Sequence, residues 1–162
     1  MKFYAAPWSK LLVVASSFLT VLCLGIAFVA AEHSSGAASW LAWLPVVLTF
    51  ACALFAIRGY TVTPDDILVH RLFWTTRLSR SGLESARFEP NAMRSSIRTF
   101  GNGGFFSFSG FYWNKALGVY RAFVTDPRRA VVLRYSSKRT LVLSPATPED
   151  FIQNLRLPNR AS

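Results

Sequence analysis

Residues 60–71, Tyr-Thr-Val-Thr-Pro-Asp-Asp-Ile-Leu-Val-His-Arg, carry the reading that decides the fold. Tyr60 to Thr63 is rich in β-branched and aromatic residues, and Pro64-Asp65-Asp66 is a turn, because proline presets φ for it. Ile67 to Phe73 leaves that turn as a second strand, and Thr75 to Ser79 follows as a third. Ser81-Gly82 punctuates before Leu83 to Glu89, where Ala86 and Phe88 face one way and Arg87 and Glu89 the other. Strands resume at Val119 to Thr125, with Tyr120, Ala122 and Val124 alternating against Arg121 and Thr125, and Phe123 interrupting the polar face. Asp126-Pro127-Arg128-Arg129 turns the chain into Ala130 to Ser136, where Val131, Leu133 and Tyr135 point inward. Lys138-Arg139 separates this strand from Thr140 to Leu143. Seven short strands with regular turns predict a small barrel or sandwich.

A helix closes the chain. Thr147 suits an N-cap, Pro148 the first helical position, and Glu149 and Asp150 the positive end of the dipole. Phe151, Ile152 and Leu155 form an apolar stripe continued by Leu157, and Pro158 stops the helix. One apolar face must be buried, and the open end of the barrel is where it fits.

Towards the amino terminus the pattern changes. Leu11 to Ala31 is a run of 21 residues without a charge. As a helix it spans about 32 Å, the thickness of a bilayer's hydrocarbon core. A second charge-free run covers Gly36 to Ile57, with Pro45 near its start. Two transmembrane helices, at about 11–31 and 37–57, are the expectation. Lys2 and Lys10 precede the first span, Glu32 and His33 lie between the two, and Arg58, Arg71, Arg77 and Arg80 follow the second. The positive-inside rule then places both termini in the cytoplasm. Tyr4 and Trp8 fit the inner interface, Trp40 and Trp43 the outer one. Val29-Ala30-Ala31 also resembles a signal-peptide cleavage site, although the apolar run exceeds the usual length. Cleavage there would leave the second span as a stop-transfer segment and the larger domain still cytoplasmic.

The expected organisation is a membrane anchor over 1–58 and a cytoplasmic domain over 59–162. Of the 162 residues, 52% are apolar and 16% charged, against about 25% charged in ordinary soluble domains. The net charge is +10, and 16 of the 18 basic residues lie from Arg58 onward. The 24 aromatic residues exclude a disordered basic tail. Cys23 and Cys52 alone make neither a disulfide framework nor a four-ligand metal site. Only two residues separate Ile57 from Tyr60, a reach of about 10 Å, so the domain must lie close beneath the bilayer.

Asn91 to Gly118 reads as a long loop. It concentrates Phe100, Phe105, Phe106, Phe108, Phe111, Tyr112 and Trp113 among glycines, flanked by Arg94, Arg98, Lys115 and Arg121. Three roles are open to it: packing over the barrel or a second copy, holding a protein partner, or dipping into the interface while cations meet anionic headgroups. The candidate binding residues are Arg94, Arg98, Phe105, Phe106, Phe108, Phe111, Trp113 and Lys115, with Arg128 and Arg129 from the later turn.

The 60–71 hairpin, the Phe100-Gly101-Asn102-Gly103-Gly104-Phe105 segment, Gly110-Phe111-Tyr112, Leu117-Gly118, Val124-Thr125-Asp126 and the Leu143-Ser144-Pro145…Pro148-Glu149-Asp150-Phe151 close resemble the bacterial PH-like domains that follow transmembrane hairpins. The resemblance covers roughly 60–157 and implies a seven-stranded barrel capped by a helix, at a bacterial inner membrane, with no reaction attached. Phosphoinositide-binding PH domains carry Lys and Arg around the first hairpin loop. Here that loop is Pro64-Asp65-Asp66, which repels phosphate.

Catalysis finds little footing. Gly101-Asn102-Gly103-Gly104 is not followed by Lys-Ser/Thr, so it is no P-loop. His33 and His70 form no metal-binding pair, and no cofactor is implied. Asp65-Asp66 and Glu149-Asp150 are explained by a turn and a helix start. Neither span holds an ionisable residue to mark a transport path, and no nucleic-acid motif appears. The reading is a non-catalytic, membrane-anchored PH-like binding or scaffold module that captures a protein partner at the cytoplasmic face, with anionic-lipid binding as the alternative, an uncharacterised membrane enzyme as a distant third, and a second copy as an admissible partner.

Overall fold

The structure is a computed structural model that describes residues 1–33, 39–103 and 105–155. Ten strands lie among these residues, in two sheets. The first sheet takes β1 (Lys2–Ala5), β2 (Ile57–Val62), β3 (Asp66–Arg71) and β4 (Thr75–Ser79) in that order, all antiparallel. The second runs β5 (Leu83–Phe88), β9 (Val131–Tyr135), β10 (Thr140–Leu143), β8 (Gly118–Val124), β7 (Phe108–Asn114) and β6 (Ile97–Gly103). Its β10–β8 pair is parallel and the others antiparallel.

Alternation explains the core. Tyr60, Val62, Ile67, Val69 and Leu78 of the first sheet meet Phe123, Val131, Leu133, Tyr135, Leu141 and Leu143 of the second. The odd and even positions of the second sheet bury separate layers. Tyr112, Tyr120, Ala122, Val124, Val132 and Val142 lie on its other face, covered by Ala92, Met93 and Leu117. Phe123 therefore does not spoil a polar face, because both faces of β8 are covered at its carboxy-terminal end, Ala122 to Val124. Burial pushes the Tyr60 phenol up to about 12, and it donates to the Phe123 carbonyl at 2.7 Å.

The helix α3 (Pro148–Asn154) plugs the sandwich as expected. Phe151 and Leu155 are wholly buried, and the Phe151 ring meets Tyr4 and Tyr60 edge-on. Thr147 stands at the N-cap without making the side-chain cap bond. Leu157 and Pro158 lie outside the described residues.

All seven expected strands are present, but three more join them. The expected loop at 91–118 is mostly a β-hairpin, β6–β7, added to the second sheet. It escapes a pattern reading because most of its buried positions are polar: Ser107, Ser109 and Asn114 are buried along with Tyr112, while Phe100, Phe111 and Trp113 are exposed. Gly101 and Gly110 face each other across it with φ of 111° and 148°. A Cβ on Gly101 would stand 2.7 Å from the Gly110 Cα, so the strands close there only without side chains.

The third addition, β1, lies in the segment read as a flank of the anchor. Lys2–Ala5 pairs with Gly59–Val62, from Lys2↔Val62 to Ala5↔Gly59. Tyr4, expected at an interface, is 3% exposed and belongs to the β core. Everything between β1 and β2 is an excursion from one strand to its neighbour. It contains α1 (Lys10–His33), a 3₁₀ turn at Ser39–Trp43 and α2 (Leu44–Leu54), which packs along α1.

The expected second span at 37–57 is not one continuous helix. Pro45 sits in the first turn of α2, where its missing N–H costs nothing, so it starts a helix rather than continuing one. Ile57 already belongs to β2. Among the described residues one helix, Lys10–His33, is long and apolar enough to cross a membrane, and Trp40–Leu54 is a shorter apolar one. Leu11, Phe18, Val21 and Phe28 on α1 are 67–73% exposed.

Candidate functional site

Four contacts fasten the base of the helices to the β domain. Pro7 and Ser9 meet the end of β8, where the Thr125 hydroxyl donates to the Pro7 carbonyl at 2.8 Å and the Ser9 amide to Thr125 O at 3.2 Å. The Ser9 hydroxyl in turn accepts from the Leu12 amide and caps α1. The Trp8 indole reaches the Ile57 carbonyl at 3.5 Å. The β6–β7 turn climbs beside α1, its Phe106 amide donating to the Ser16 hydroxyl at 3.0 Å and its Phe106 ring meeting Trp8 edge-on.

The fourth contact builds a site. Ile67, Val69 and Arg71 share the inward face of β3, so strand alternation drives Arg71 under the end of α2, where it is 8% exposed. Its Nη1 donates to the Phe55 carbonyl at 2.9 Å, and its Nη2 to the Ser109 hydroxyl at 2.7 Å. The Ser107 hydroxyl donates to the same Phe55 carbonyl at 3.1 Å. A helix end offers orphan carbonyls and partial negative charge, and Arg71 answers both. The guanidinium also lies against the rings of Phe55, Phe123 and Trp74, 5.4–5.8 Å from their centroids.

Arg121 on β8 stands across from Phe111 of β7 and shares the Phe123 ring with Arg71. Its guanidinium is 4.8 Å from the Phe123 centroid and 5.6 Å from that of Phe111. Burial and the neighbouring Arg121 lower the Arg71 pKa; burial and Arg139 lower that of Arg121. Arg98 of β6 folds over Gly103, where a Cβ would be 2.6 Å from its Nη1. The three arginines line a cleft of about 620 Å³ between α2 (Leu48, Ala51, Cys52, Phe55) and the β6–β8 face (Phe100, Phe105, Phe111). The ion pairs among the described residues are Lys2–Asp150 and Arg129–Asp126, so no carboxylate answers these arginines there.

The structure brings some of the expected site residues together and separates others. Arg98, Phe105 and Phe111 share the cleft, and Phe106 packs on α1 at its rim. Trp113 lies further down the same face, in a cross-strand row with Ile97 and Val119, all three at least 40% exposed. Phe108 turns to the opposite face, against the second core layer. Arg94 and Lys115 lie at the far end of the strands, near Asn114, whose amide donates to Ala92 O and Ser96 Oγ. Arg128 and Arg129 are at the near end of β8; Arg129 donates to Ala146 O and pairs with Asp126.

Arg71 and Ser109 are site residues that the sequence reading does not single out. Arg71 carries a signal, as an arginine in phase with the inward residues of an alternating strand. Ser109 carries none. Leu72 and Phe73, in the β3–β4 turn beside Arg71, are also exposed, at 42% and 71%. Among the described residues no three His, Cys, Asp or Glu side chains form a metal-binding group.

Two β-sheets closed by a carboxy-terminal helix are the architecture of a PH-like domain. The bacterial PH domain family matches residues 58–158, and the chain belongs to that family. No curated protein and no solved structure matches it. PH-like domains are generally non-catalytic binding modules.

Proposed function

We propose that this chain is a non-catalytic binding module seated on the cytoplasmic face of the bacterial inner membrane by a hairpin of α1 and α2. The observation that carries the reading is the excursion between β1 and β2. A 24-residue apolar helix stands with its side chains exposed on a domain that grips both ends of the excursion without a linker. Water makes so large an apolar surface costly, at about 25 cal/mol per Å², and a bilayer covers it. The 3₁₀ turn and α2 together rise about 26 Å, which fits a second leg through the hydrocarbon core when flanking residues adjust to the mismatch. Glu32 and His33 then face outward, and the +9 β domain lies inside.

In this reading a protein partner is captured on the lower part of the β6–β8 face. β6 ends the six-stranded sheet, and Ile97, Trp113 and Val119 form an exposed apolar row beside that edge. An extended segment adding as a further strand would use both. The membrane reading is tested by washing cell membranes with alkaline carbonate. The chain is expected to stay in the pellet and be released only by detergent; release by carbonate would overturn it.

A further inference from the structure

We propose that the cleft between α2 and the β6–β8 face holds the headgroup phosphate of an anionic phospholipid, gripped by Arg71, Arg98 and Arg121, with its acyl chains along Leu48, Cys52 and Phe55. The inference rests on the reading that α1 and α2 lie in the bilayer, and it goes beyond that reading by naming a ligand and its site.

Three observations converge on it. First, three guanidinium groups line one cleft and no carboxylate among the described residues pairs with any of them. Arg71 is 8% exposed and Arg121 half-buried, so both are costly to hold without a counter-charge, and rings and a helix-end carbonyl compensate only in part; Arg98 is exposed and adds its charge to the lining. An anion in the cleft completes the balance, and arginine matches phosphate oxygens with paired donors. Second, the wall opposite the arginines is apolar and belongs to α2, so the cleft is continuous with the surface that meets lipid tails. A soluble phosphate would leave that wall uncovered; a phospholipid covers both halves. Third, the cleft has the vertical order of a lipid, with apolar Leu48 above and Arg71 and Ser109 below the end of the helix.

The place differs from that of phosphoinositide-binding PH domains, whose grip is at the first hairpin loop. Here that loop is the β2–β3 turn, Thr63 to Asp66, at the end of β2 away from the helices. It also differs from a patch of surface cations, because it centres on the buried Arg71, while Arg94 and Lys115 take no part.

The test uses the full chain, extracted from bacterial membranes in mild detergent, with retained lipids read by native mass spectrometry. Phosphatidylglycerol is expected to be retained over phosphatidylethanolamine. Arg121→Gln and Arg98→Gln should each weaken retention about tenfold or more, as loss of a charge-assisted bond does. Arg94→Gln and Lys115→Gln should match the unsubstituted chain. Arg71→Gln also removes a bond to α2, so Arg121 and Arg98 carry the test. Excess glycerol 3-phosphate should not displace the lipid. Equal retention of both lipids, equal loss in the Arg94 and Lys115 variants, displacement by glycerol 3-phosphate, or an acidic peptide in place of lipid would each overturn the proposal. A chain that resists carbonate but shows no preference for phosphatidylglycerol sinks this inference alone; release by carbonate sinks the membrane reading beneath it.

Discussion

A chain trimmed to residues 58–162, the natural cut if the amino-terminal segment were only an anchor, is expected to lose its cooperative fold. That cut removes β1 along with the helices. Tyr4 leaves a site where it is 3% exposed, and Phe151 loses the ring 5.2 Å away that packs its edge. Deleting a buried aromatic side chain costs about 3–5 kcal/mol, a large share of the roughly 5–15 kcal/mol that holds a domain together. β2 also becomes a bare edge with its pairing groups open. The remedy follows from the same geometry. The Ala6 amide donates to the Arg58 carbonyl at 3.1 Å, so the two ends of the excursion are adjacent. Joining residues 1–7 to Arg58 through a short Gly/Ser bridge should restore a sharp thermal transition and dispersed amide signals. A 58–162 chain that melts as cooperatively as the bridged one would contradict the role assigned to β1.

Gly110→Ala should be the most damaging single methyl in the β domain. The new Cβ would collide with the Phe100 carbonyl oxygen and stand 2.8 Å from the Gly101 Cα, at a φ of 148° that side chains avoid. Overpacking against backbone and the forbidden torsion together cost about 3 kcal/mol or more. In a domain of this size that lowers the melting point by about 10 °C or more. Gly118→Ala is the control. It too has positive φ, 67°, but its Cβ meets nothing within 4 Å, so about 1 kcal/mol is expected. Equal melting points for the two variants would show that the Gly101–Gly110 closure does not hold the β6–β7 hairpin.

The residues explain which parts of this architecture a sequence reading reaches. Strands such as 131–135, with Val131, Leu133 and Tyr135 facing a core, declare themselves by alternation, and α3 by its proline, acids and apolar stripe. The β6–β7 hairpin hides because it reverses the usual rule, burying Ser109 and Asn114 and exposing Phe111 and Trp113. Its aromatics stand out in composition, but their spacing reads as a loop. β1 hides for a different reason: four residues beside a long apolar run read as the run's flank, and their partner lies more than fifty residues away. The cleft was half visible. Arg98, Phe105 and Phe111 stood out by composition, while Arg71 becomes significant only when β3, α2 and β7 are brought together.

The membrane-seated hairpin is the claim on which the rest depends, and cysteine accessibility tests it most directly. With Cys23 and Cys52 replaced by alanine, His33→Cys probes the tip of the hairpin and Ser137→Cys the β9–β10 turn. An impermeant maleimide, reaching the periplasm of intact cells, is expected to label position 33 and to reach 137 only after the inner membrane is permeabilised. Labelling of 137 in intact cells, or protection of 33 until permeabilisation, would contradict the membrane-seated hairpin.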